Sequence, residues 1–189
     1  MAATAESRIA ESFDQHIEVL EATRQALSPA IVKLGLMVRA ALAAGNKIML
    51  CGNGGSAADA QHIAAELIGR FKKERAPIGA IALTTDTSIL TCVGNDYSFD
   101  DIFSRQVLGL ARPGDVLIGI STSGNSANVI KAVQAAEERG CVTVALAGRD
   151  GGKLAPMCHQ ALVVPSGDTA RIQEMHIMIG HMMCDFLEE

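Results

Sequence analysis

Cys51-Gly52-Asn53-Gly54-Gly55-Ser56-Ala57-Ala58-Asp59-Ala60-Gln61-His62-Ile63-Ala64-Ala65-Glu66 joins a glycine-rich turn to a segment in which Ala and Gln favour helix. The preceding run, Lys47 to Cys51, is short and apolar and has the length of a buried strand. The glycines therefore mark a strand-to-helix junction, where the first helical N–H groups lack carbonyl partners and the helix dipole adds partial positive charge. Such a junction can seat an anion. It can equally be a tight turn that uses glycine for its backbone freedom. Ser56 followed by Asp59 fits a capping pair. Gly52, Gly54 and Ala57 also match a dinucleotide fingerprint, but weakly: the next strand-like run, Gly79 to Leu83, comes late and leads to Asp86. No Gly-Lys-Ser or Gly-Lys-Thr occurs, which excludes a Walker A loop.

Outward from this junction, short apolar runs alternate with helical segments: Lys47 to Cys51, Gly79 to Leu83, Val116 to Ile120, Val142 to Ala147 and Ala161 to Val164. This pattern predicts an α/β fold with a parallel five-stranded sheet flanked by helices. Ligands then sit beyond the carboxyl ends of the strands. The loop after the first strand carries Asn53, Gly54, Gly55 and Ser56, and the loop after the third carries Ser121-Thr122-Ser123-Gly124-Asn125-Ser126. The two form a faint internal repeat of strand, small polar turn and helix. Four hydroxyls at a helix amino terminus make the second the stronger phosphate site, against an ordinary Ser/Thr-rich capped turn.

Before the first strand, Ile9, Phe13, Ile17 and Leu20 fall at helical spacing in residues 4–27, and Pro29 opens a second predicted helix running to Gly45. Residues 1–45 thus form a helical extension and 46–189 the α/β domain. The apolar stripe of the extension either covers the domain's own sheet or joins a second copy.

At 189 residues and 49% hydrophobic the chain can bury one full core. A net charge of −5 with 3% aromatic residues argues against a nucleic-acid surface. The basic cluster Arg70, Lys72, Lys73 and Arg75 follows a predicted helix end and is expected to complement its dipole. No secretory leader pattern and no apolar run near the ~20 residues of a membrane span are evident, so no membrane association is expected. Five cysteines without C-x-x-C spacing read as reduced thiols of a cytoplasmic protein.

His62 and Glu66 stand four apart on one helix face and can reach one metal ion, or can form a plain surface pair. Near the carboxyl end, Gln173, Glu174, His176 and His181 punctuate an apolar helix, either on its solvated face or recruited to a site.

With Cys51 to Ser56, His62 with Glu66, Val93-Gly94-Asn95-Asp96, Ile120 to Ser126 and Arg171-Ile172-Gln173-Glu174 followed by His181, the chain resembles the phosphoheptose isomerases of the sugar isomerase (SIS) domain superfamily over nearly its whole length. The resemblance implies a single SIS domain, a homotetramer, and one zinc ion per subunit held by His62, Glu66, Gln173 and His181. It implies substrate contacts from Asn53, Gly54, Gly55, Ser56, Glu66, Asn95, Asp96, Ser121, Thr122, Ser123, Ser126 and Gln173. The implied reaction is aldose–ketose isomerisation of sedoheptulose 7-phosphate towards ADP-heptose. Ala170 departs from members with an acidic residue before the Arg. Among the candidates, Glu66 is expected as the base and His181 as its acid–base partner, which competes with both being zinc ligands. The rival expectation is a non-catalytic SIS binding protein associated with a replication initiator; such proteins lack the catalytic pair present here. A SIS sugar-phosphate sensor is more distant, since no DNA-binding region accompanies the domain. Because Gln173 and His181 lie eight residues apart on one helix, ~12 Å along its axis, a second copy is expected to supply one of them, most naturally His181. That places the active site at a subunit interface.

Overall fold

The computed structural model describes residues 4–189. The helix α1 spans Ala5–Ala43, followed by β1 (Ile48–Gly52), α2 (Gly55–Ile68), β2 (Ala80–Ala82), α3 (Thr87–Asp96), α4 (Ser104–Leu110), β3 (Val116–Ser121), α5 (Ala127–Glu138), β4 (Val142–Gly148), β5 (Gln160–Val164) and α6 (Thr169–Leu187). All five strands are parallel, in the order β2-β1-β3-β4-β5. Each expected strand is present within a residue or two of its expected ends. β1 and β3 are buried along their whole length, because helices cover both faces of the sheet.

One core lies under α1, α2 and α6 and includes Leu34, Val38, Ile48, Leu50, Ile63, Leu67, Ile172 and Ile179. The opposite core lies under α3, α4 and α5 and includes Met49, Val93, Phe103, Val107, Leu117, Val129 and Val133. Successive strand residues point alternately into the two, as Ile48 and Leu50 do against Met49 and Cys51.

The extension is one helix rather than two: Pro29 lies inside α1. A proline there removes one helical hydrogen bond and crowds the preceding turn. The helix nevertheless continues, because the buried stripe Thr23, Leu27, Leu34 and Val38 keeps helical spacing across Pro29. Breaking at Pro29 would strip half of that stripe from the surface made by α6 and β5. The amino-terminal half is different: Ile9, Phe13 and Ile17 are 60%, 67% and 55% exposed. The helix also holds an 18-residue window of mean hydropathy 1.5, long and apolar enough by composition to cross a membrane, which departs from the sequence expectation. Only 22% of that window is buried within the chain, so packing against the sheet accounts for part of its apolar content, and a single helix of this kind is weak evidence for a membrane.

Candidate active site

The strand order places the switch point between β1 and β3, the two strands whose connections leave in opposite directions. In a sheet of this order the crevice outside those carboxyl ends receives the ligand. The loops carrying Asn53-Gly54-Gly55 and Ser121 to Ser126 both open there. They are tied together by a reciprocal amide pair: Asn53 Nδ2 donates to Asn128 Oδ1 and Asn128 Nδ2 to Asn53 Oδ1, both at 2.8 Å. Asn128 is buried in the first turn of α5 and was not among the expected site residues. The signal for it was faint, a lone amide two residues past the Ser-rich loop.

Gly54 is the N-cap of α2, with φ 54°, and no side chain caps that helix. The expected Ser56–Asp59 cap is therefore corrected. Ser56 is a buried helical residue whose Cβ and backbone fill the space beside Gly52. The turn needs left-handed backbone at residue 54, and this moves the helix start ahead of Ser56. In the second loop Ser121 Oγ lies 2.9 Å from Ser126 Oγ, and Asn125 N donates to Ser123 Oγ at 3.1 Å. Gly124 has φ 64° and presses against the Gly151-Gly152 turn after β4, so closely that a Cβ would sit 2.0 Å from the Gly151 carbonyl oxygen. A cleft of about 180 Å³ adjoins the first loop, between Gly52, Asn53, Gly54, Ala57, Thr84 and Phe103. Asn95 and Asp96 end α3 at the surface, where Asn95 Nδ2 donates to Asp96 Oδ1 at 2.8 Å. That bond, with one from Cys92, holds the Asp96 carboxyl below its ordinary range.

The second cluster is built by α2 and α6, which run parallel and in register. Gln173 lies over Gly55, where a Cβ would be 2.3 Å from Gln173 Nε2. Gly180 lies against Ile63, and Glu188 reaches Phe71. Between these contacts His62 Nε2 stands 2.9 Å from His181 Nε2, and Glu66 Oε1 lies 3.4 Å from His62 Nε2. The two imidazoles meet edge to face, and Phe71 stacks on the His181 ring with centroids 5.2 Å apart. Asp59, one turn before His62, has its carboxyl raised by burial, partly offset by His62.

Two expectations change on this geometry. His181 meets His62 of its own chain, so no second copy is needed to deliver it. Gln173, by contrast, stays with Gly55 at the loop end, two turns away from the histidine pair on both helices. Imidazole nitrogen and carboxylate oxygen are the donors zinc prefers, and His62, Glu66 and His181 bring three of them together. As they stand the two imidazoles are bonded to each other. Among the described residues no group of three or more His, Cys, Asp or Glu is already spread as a metal cage. The donor chemistry fits a zinc ion, and to hold one the two nitrogens would have to part.

His176 is fully buried on α6 and its Nε2 donates to the Ala147 carbonyl at 2.9 Å, while its Nδ1 has no partner. Burial pushes its pKa down to about 4. It ties α6 to the end of β4. Arg75, from the basic cluster, donates from its guanidinium to the Glu66 and Leu67 carbonyls at 2.8 Å each. It thereby complements the carboxyl end of α2, as the sequence implied.

The chain is thus a doubly wound α/β domain in which glycine- and serine-rich loops open at the switch point and two histidines and a carboxylate meet on the adjoining helices. Residues 12–148 match the SIS domain family. The chain is 57% identical over 175 residues to a phosphoheptose isomerase of Nitratiruptor, covering 93% of this chain and 94% of that one. Its fold superposes on the phosphoheptose isomerase of Neisseria gonorrhoeae with TM-score 0.93 and 50% identity, covering 98% and 99% of the two chains. It matches that of Francisella tularensis with TM-score 0.95 and 39% identity, covering 98% of each. The chain belongs to the phosphoheptose isomerases of the SIS domain family.

Proposed function

We infer that this chain is an aldose–ketose isomerase that converts sedoheptulose 7-phosphate to D-glycero-D-manno-heptose 7-phosphate, the first step towards the ADP-heptose of lipopolysaccharide core. The observation that carries this reading is the convergence of His62 and Glu66, on the helix that starts at the β1 loop, with His181 of α6. The reaction moves a proton between C1 and C2 through an enediol. It needs a base at carbon and an acid at oxygen, and no redox cofactor. In this reading Glu66 takes the proton from carbon, and the His181 imidazole gives and receives the proton at oxygen. Each such group contributes about 10²–10⁴-fold. His62 orients His181 through the bond between their Nε2 atoms. Asn53, the Gly54-Gly55 backbone, Ser121, Ser123 and Ser126 hold the phosphate through hydroxyl and N–H donors.

One zinc ion per subunit belongs to the proposal. His62, Glu66 and His181 would hold it in place of the bond between the two Nε2 atoms, and it would supply Lewis acidity to the substrate oxygens, in competition with the roles of Glu66 and His181 as free base and acid. A homotetramer with sites at subunit interfaces also belongs to it. Gln173 and the histidine pair lie two turns apart within one chain, so a site using all of them is completed by a second copy. Exposed Ile9, Phe13 and Ile17 also leave an apolar face for a partner to cover. The free cysteines suit a reducing, cytoplasmic setting. A non-catalytic binding protein finds no support among the relatives.

The direct test is proton exchange with the purified protein in D₂O. Deuterium is expected at C1 of sedoheptulose 7-phosphate and at C2 of the aldose formed from it. No exchange and no aldose would overturn the reading. Restored activity on mixing Gln173→Ala with His181→Gln subunits under verified exchange would support a shared site, and its absence would place the site in one chain.

A further inference from the structure

The segment after α2 turns three successive backbone N–H groups towards one carboxylate. Glu188 Oε1 accepts from Phe71 N at 2.8 Å, and Oε2 accepts from Lys72 N and Lys73 N at 2.9 Å each. Arg75 Nε stands 3.3 Å from the same carboxylate, whose side chain is fully buried while that of Arg75 is 14% exposed. Consecutive N–H groups converging in this way form an anion nest. Here the anion comes from the protein itself, at the end of the helix that carries His181. The nest fixes the backbone of Phe71, and the Phe71 ring stacks on the His181 imidazole at an interplanar angle of 20°. On the other side of His181 stands His62. The imidazole is thus held between a ring and a hydrogen bond.

We propose that Glu188 is a positioning residue for the isomerisation, acting through the 71–73 backbone and the Phe71 ring to hold the His181 imidazole at its working angle. Glu188 touches no reacting atom in this arrangement. Its charge matters because a carboxylate accepts all three N–H bonds, whereas an amide turns an NH₂ group towards donors and leaves N–H groups unpaired. Burial works against the charge, and the bonds from Lys73, Lys72 and Phe71 with the Arg75 charge outweigh it, taking the Glu188 pKa down to about 2. The carboxylate is therefore in place throughout the neutral range.

The proposal rests on the reading of His181 as the acid–base partner, and the experiment separates the two. The probes are the His181 ring-proton resonances, assigned by their loss in His181→Gln, followed in wild type, Glu188→Gln, Phe71→Leu and Arg39→Ala proteins. Arg39 stacks on Phe186 and pairs with Glu189 on the far side of the α6 end, so Arg39→Ala loosens α6 without touching the nest. Phe71→Leu and Glu188→Gln are expected to shift the His181 resonances in the same direction, since the first removes the Phe71 ring and the second moves it off the imidazole. Both should lower kcat roughly tenfold to a hundredfold, the cost of a misplaced catalytic group, with KM nearly unchanged. Arg39→Ala should do neither at equal loss of thermal stability. A folded Glu188→Gln protein with unmoved His181 resonances overturns the proposal, and so does a Phe71→Leu protein with wild-type kcat, even if Glu188→Gln does not fold. A His181→Gln enzyme with normal turnover would instead overturn the acid–base reading, leaving the resonances to judge the positioning.

Discussion

Gly180 lies flat against Ile63: a Cβ added at residue 180 would come within 2.5 Å of Ile63 Cδ1 and 2.7 Å of its Cγ1. Ile63 is itself fully buried and cannot swing away. This contact sets how close α6 approaches α2, one residue before His181 and one after His62. Gly180→Ala is expected to destabilise the protein by about 1–3 kcal/mol through overpacking, offset in part by the ~1 kcal/mol that alanine gains in a helix. Parting the helices should also cost activity beyond the loss of folded protein. Denaturant unfolding alongside kcat measured on the folded fraction checks both.

Glu66→Gln keeps the size and shape of the side chain and removes the base. Isomerisation is expected to fall by about 10²–10⁴-fold with an unchanged unfolding transition. Turnover within several-fold of wild type would take Glu66 out of the proton-abstracting role.

The Ser-rich loop is expected to act on the phosphate. Ser123→Ala should raise KM for sedoheptulose 7-phosphate far more than it alters the response to the unphosphorylated ketose. Ser121→Ala should show the same split with an added stability cost, because Ser121 is buried and meets Ser126. Equal losses with both sugars would assign the loop to holding the fold.

His176 gives the protein a sensitivity to acid. In the unfolded chain a histidine takes up its proton near 6.5, whereas buried His176 stays neutral down to about 4. Above pH 6.5 neither state binds the proton and His176 adds no pH dependence. As the pH falls from 6.5 to 4 the unfolded state gains the proton first, so stability drops by an amount on the order of 3 kcal/mol. Replacing His176 with Gln should flatten that part of the stability–pH curve, as urea midpoints across this range would show.

The sheet was legible because each buried strand is a short apolar run followed by a small polar turn, and both phosphate-type loops announced themselves through Gly, Ser and Thr. The strand order could not be read, since a run such as Ile48–Gly52 carries no mark of its neighbours. Pro29 misled because its local cost is visible in sequence, whereas the stripe from Thr23 to Val38 that overrides it has value only against α6 and β5. The spacing of His62 and Glu66 fixed a shared face, but what stands opposite them depends on α6, more than a hundred residues later. Gln173 and His181 were correctly seen to be far apart along one helix. That His181, rather than Gln173, would meet His62 follows from the register of two helices, which no single-helix argument contains. Glu188 carries no signal in the sequence, because three of its partners are backbone N–H groups and these leave no trace in residue type.

The parallel pairing of α2 and α6 keeps a nearly constant numerical offset from Gly55 and Gln173, through His62 and His181, to Phe71 and Glu188. One residue inserted into either helix would advance everything after it by ~1.5 Å and turn it by ~100°. Length changes in this family should therefore come in matched pairs, one in each helix, or fall outside both. A lone insertion between Gly55 and His62 would separate the histidines even though every site residue was still present in the chain.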